Sequence, residues 1–110
     1  IKNEVRKSSS MAINEFSRKL NVKVSKIKIS NSFSYWGSCN SKNEISINWR
    51  LIFCPQFVLN YIIAHELSHL IEFNHSKNFW NLVDKLITNR LDAQKWLKQN
   101  DNYMYRLRLD

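Results

Sequence analysis

Glycine and proline are almost missing from this chain, with one of each in 110 residues. So little punctuation leaves room for few loops and marks no linker, and no repeat or low-complexity tract interrupts the chain. No apolar run approaches the roughly 20 residues that a membrane-spanning helix needs. The start, Ile1-Lys2-Asn3-Glu4, carries charge but no apolar signal core, so no export signal is read and a cytoplasmic protein is expected. Cysteine is limited to Cys39 and Cys54, too few for a disulfide framework and without CxxC spacing. Two reduced, part-buried thiols are the expected state.

What remains is ordinary globular material. The apolar share of 44% and charged share of 24% suit a soluble protein, and the length suits one domain over residues 1–110. The net charge of +8 is uneven: residues 1–30 hold eight basic side chains against two acidic ones, while residues 31–75 are slightly acidic. A basic excess of this kind serves either as a solvated face or as a contact for nucleic acid or an acidic partner.

The apolar spacing predicts an α+β fold. Val5, Ala12, Ile13, Phe16 and Leu20 fall at helical intervals over 4–20. Val22, Val24, Ile27 and Ile29 read as a strand with a bend near Ser25, a second strand is expected over about 33–38, and Ile45, Ile47 and Trp49 alternate as a third. The polar tetrad Asn40-Ser41-Lys42-Asn43 joins the last two as a hairpin. Pro55 opens a helix running to about Phe73, apolar on most faces and therefore buried, with Asn74 in a left-handed turn at its end. Ser76 reads as the N-cap of a helix over 77–88, and a short helix over 90–99 follows.

Into the buried helix the sequence inserts His65-Glu66-Leu67-Ser68-His69. Histidines at i and i+4 sit one above the other, so both imidazoles reach one metal ion, and the carboxylate beside the first is placed to take a proton from water. Burying two imidazoles and a carboxylate without partners costs several kcal/mol, a cost that a metal removes. A catalytic zinc site needs a third protein ligand and an open fourth position. The remaining histidine, His75, falls in the turn between Asn74 and Ser76. Glu72 shares the helix face but lies about 10 Å along the axis from position 65, and a later carboxylate such as Asp84 is a further alternative. Arg50, Tyr35, Tyr61 and Asn74 are candidates for stabilising a tetrahedral oxyanion.

The segments Tyr35-Trp36-Gly37-Ser38-Cys39, Ile45 to Leu51, His65 to His69, and Asn74-His75-Ser76 with Phe79-Trp80 together resemble the YgjP-like metallopeptidases, relatives of the SprT-like and WLM peptidases. The resemblance covers about residues 4–100. It implies a minimal zincin fold with an N-terminal helix, a small three-stranded sheet, a buried HExxH helix and C-terminal helices. It also implies one zinc ion per chain held by His65, His69 and His75, Glu66 as general base, and a protein or peptide substrate. Two positions depart from the family pattern: Tyr35 stands where members commonly carry Arg, and Asn60 where Asp is frequent. Zincins bind peptide along a sheet edge, and the strand 44–49 resembles that edge. The competing function is a zinc-stabilised, basic nucleic-acid-binding module without hydrolytic activity, which would close the fourth metal position with another Cys or His.

Overall fold

The N-terminal helix that the apolar spacing predicts does form. In the computed structural model, which describes residues 2–100 and 107–109, α1 spans Lys2–Leu20 and buries Val5, Ala12, Ile13, Phe16 and Leu20 along one face. It closes where Asn21 takes φ 54° and the Val22 N–H reaches back to the Ser17 carbonyl at 3.0 Å. Asparagine tolerates that left-handed turn better than other residues with a side chain. Three strands follow, β1 (Lys26–Ser30), β2 (Gly37–Cys39) and β3 (Glu44–Asn48), then a 3-10 turn over Trp49–Phe53. Three helices complete the described chain: α2 (Gln56–His69), α3 (Lys77–Leu86) and α4 (Arg90–Gln99).

The expected hairpin forms, with β2 antiparallel to β3 and Gly37 opposite Ile47. The strand 44–49, however, is no edge. The order is β1-β3-β2, with β1 parallel to β3 and Lys26 opposite Glu44, so β3 is paired on both sides and Ile45 and Ile47 are fully buried. The edges are β2 and β1, and β1 carries the exposed Lys26 and Lys28, a common guard against strand addition.

Two strands are shorter than their apolar patterns suggest. Residues 22–25 stay outside β1 because β3 offers them no ladder: the chain turns away at Asn43, whose φ is 60°. Asn43 instead receives Ser25 N–H on its carbonyl and donates its side-chain amide to Lys23 O. Residues 31–36 stay outside β2 because serine hydroxyls claim the backbone. Ser30 Oγ accepts from Ser32 N–H, and Ser32 Oγ from Ser34 N–H. Asn48, buried, anchors this stretch by donating to the carbonyls of Ser32 and Tyr35. Tyr35 in turn bridges in parallel to Arg108, whose guanidinium lies 5.6 Å over the tyrosine ring.

Helix α2 packs against α1, α3, α4, β2 and β3, which is why its sequence is apolar all round. Each buried Leu or Ile on it contributes about 1.5–3 kcal/mol. The helix stops at His69 rather than Phe73. Leu70 and Ile71 donate to Leu67 O and Ser68 O in tightened bonds of 3.1 Å, and the turn needs no left-handed residue at Asn74.

Candidate metal centre

Because α2 is enclosed on so many sides, side chains near its C-terminal end have fixed directions. His65 is 2% exposed and Glu66 is fully buried. His69 is half-buried at the helix end, and His75 is exposed on the loop beyond it. His75 is positioned by the start of α3: Ser76 Oγ caps that helix by accepting the Phe79 N–H at 3.3 Å, which fixes the residue just ahead of it. One donor nitrogen from each of His65, His69 and His75 lies within 4.8 Å of the other two. The Nε2 atoms of His69 and His75 are 3.1 Å apart. Nitrogens around a tetrahedral ion with bonds of about 2.0–2.1 Å stand roughly 3.3 Å apart, so the His69–His75 pair stands at metal-ligand spacing and His65 is close enough to join it.

The surroundings set the protons. His69 Nδ1 is 3.2 Å from the Glu72 carbonyl, which can only accept, so Nδ1 donates and Nε2 keeps its lone pair for the cluster. Burial, then the neighbouring His69 and His75, push His65 down to about pKa 3. A neutral His65 makes its 3.1 Å contact with Glu66 Oε2 a hydrogen bond donated by Nδ1, not an ion pair. Phe79, fully buried, has its ring centre 5.1, 4.5 and 5.0 Å from those of His65, His69 and His75. Trp80 stacks on His75 at 5.8 Å and 23°. These rings hold the imidazole planes without offering a competing donor. The sequence named Phe79 and Trp80 only through resemblance; their signal was a helical position one turn after His75.

Gly37 brings β2 against α2 at this point, since a Cβ there would meet Glu66 Cγ at 3.2 Å. A cleft of about 690 Å³ opens between the 40–43 turn and the loop after α2, with His69 and His75 in its wall. The rival ligands lie elsewhere. Glu72 contributes its backbone carbonyl, and Asp84 is bound through both carboxylate oxygens by Arg90 at 2.7 and 3.0 Å. Of the oxyanion candidates, Arg50 is held by Ser32 O between Phe33 and Trp49, Tyr61 is buried against Gln94, and Tyr35 faces Arg108. Asn74 is the one that lines the cleft. Asn60 accepts a hydrogen bond from Gln56 one helical turn earlier.

The fold has solved counterparts. The crystal structure of the metallopeptidase zymogen of Pyrococcus abyssi abylysin superposes with a TM-score of 0.75 at 17% identity, covering 92% of this chain and 98% of that one. That of the Methanocaldococcus jannaschii jannalysin zymogen gives 0.70 at 26% identity, covering 82% and 93%. None of the curated proteins matches the sequence. Three imidazoles and a carboxylate gathered at the end of a buried helix, in this fold, define a small metallopeptidase. The model of the YgjP-like metallopeptidase domain matches residues 1–100, and the chain belongs to that family.

Proposed function

We propose that the chain is a zinc peptidase in which His65, His69 and His75 hold one ion and Glu66 is the proton carrier. The observation that carries the reading is the convergence of three imidazole nitrogens within 4.8 Å, next to a carboxylate on the buried helix that carries two of them. When bound, zinc supplies a Lewis acid that activates water and polarises a carbonyl near neutral pH. Glu66 accepts the proton of the attacking water and passes it to the leaving amine nitrogen. Burial of Glu66 and His65 keeps that transfer away from bulk water. Asn74, on the cleft, is the donor assigned to the developing oxyanion. The substrate strand adds along β2, the edge that touches α2 at Glu66, in place of the interior strand β3. Neither cysteine joins the metal-competent group among the described residues, which favours an open fourth position over a closed structural site.

Zinc content by mass spectrometry, with hydrolysis of a peptide library, tests this. Wild type and Glu66→Gln are expected to carry about one zinc per chain and His75→Ala far less. Hydrolysis by Glu66→Gln is expected to fall by about 10²–10⁴-fold. Unchanged hydrolysis in Glu66→Gln overturns the role of Glu66, and full zinc in His75→Ala hands the third position to another residue.

A further inference from the structure

The loop after α2 exposes two large apolar side chains beside the reactive centre. Phe73 is 88% exposed and Ile71 46%. Both line the cleft into which His69 and His75 open. Single exposed apolar residues are common on protein surfaces, but two that share a concave wall with a metal-competent cluster form a recognition surface.

The opposite wall offers little polar chemistry to a ligand. Asn40 donates its amide to Glu44 Oε1 at 2.8 Å, and its carbonyl oxygen accepts the Lys42 and Glu44 N–H groups at 2.9 and 3.2 Å. The Asn43 amide is held by Lys23 O at 3.0 Å. These groups maintain the turn. None of the residues lining the cleft is Asp, Glu, Lys or Arg. A charged side chain laid against the Ile71–Phe73 wall would shed water and find no charged side chain of opposite sign there.

We propose that Ile71 and Phe73 form the side-chain-selecting wall of the peptide site, favouring a bulky apolar residue next to the scissile bond. The proposal rests on the reading of the histidine cluster as the reacting centre. A peptide added along β2 sends alternate side chains to opposite faces, so one residue flanking the cleaved carbonyl projects toward the 70–75 loop. There it covers Ile71 and Phe73, and its size sets the apolar area removed from water.

The test is equilibrium binding to zinc-loaded Glu66→Gln, which holds peptide without turning it over. The ligands are fluorescein-labelled decapeptides differing only in the residue flanking the central bond, Phe, Leu, Ala or Glu, read by anisotropy. Phe and Leu peptides are expected to bind at least about tenfold more tightly than Ala and Glu peptides. With Ile71→Ala and Phe73→Ala added, the spread is expected to shrink to about twofold. Both side chains are solvent-facing, and an unchanged melting temperature and zinc content confirm that the variant is folded. Equal affinity across the peptides, a preference that survives the double substitution, or no binding of any peptide overturns the proposal. Cleavage of the same peptides by zinc-loaded wild type is read separately. Its absence, alongside an intact affinity ladder, strikes the peptidase mechanism and leaves the selecting wall standing.

Discussion

At position 37 a hydrogen atom stands where any other residue carries a carbon. A methyl group there would lie 3.1 Å from Ile62 Cγ2, 3.2 Å from Glu66 Cγ and 3.3 Å from the Ser46 carbonyl oxygen. The carbonyl belongs to the paired strand and cannot yield, whereas the glutamate side chain can. Gly37→Ala is therefore expected to misplace the Glu66 carboxylate and lower kcat by about tenfold or more, out of proportion to a stability loss of about 1–3 kcal/mol. Steady-state kinetics beside thermal unfolding separates the two effects. Cys54 gives a second test at this scale. Burial pushes its thiol up to about 12. At pH 8 iodoacetamide should leave it unmodified in the native protein and label it readily in guanidinium, as peptide mass mapping would show. Equal rates in both states would mean that the thiol is not shielded. His65, Glu66 and His69 were legible in the sequence because their geometry depends only on the helix that carries them. The need for glycine at 37 was not, since it arises from a contact between elements far apart in the chain.

Helices were easier to read than strands for the same reason. α1, α3 and α4 fall within a few residues of their periodic patterns, each pattern being local. The alternation of Ile45 and Ile47 does not reveal whether β3 is an edge or an interior strand, because its second partner, β1, lies outside the hairpin. α2 is shorter than its apolar run because Ile71 and Phe73, which read as core material, face the cleft instead. α3 links its own stability to the site. Ser76→Ala removes its cap, at a cost of about 1 kcal/mol, and loosens the residue just before it, His75. Zinc transfer to a competing chelator should quicken several-fold, roughly as that free energy implies; an unchanged transfer rate would separate the cap from the site. Phe79→Ala opens a void beneath three imidazoles and is expected to cost about 3–5 kcal/mol, measured by urea unfolding of the metal-free protein.

In the whole molecule, a metal ion would tie the end of α2 to the loop that leads into α3, adding a cross-link that the unfolded chain lacks. Chelation by EDTA is thus expected to lower the midpoint of thermal unfolding, by about 4–8 °C for each kcal/mol of binding linkage in a domain of this size. A midpoint indifferent to zinc would show that the site is not populated. No described helix is long and apolar enough to cross a membrane. The order of the sheet also imposes a schedule on folding. β2 and β3 are joined by one tight turn and can pair early, whereas β1 must reach the far side of β3 across a longer loop, with Lys26 pairing opposite Glu44. Until it arrives, one flank of β3 is bare while Ile45 and Ile47 are already on display, and a second nascent chain can offer the same backbone hydrogen bonds. The finished protein presents lysines on that side; the half-folded one does not. Aggregation should therefore track chain concentration during refolding far more closely than it tracks storage of the native enzyme.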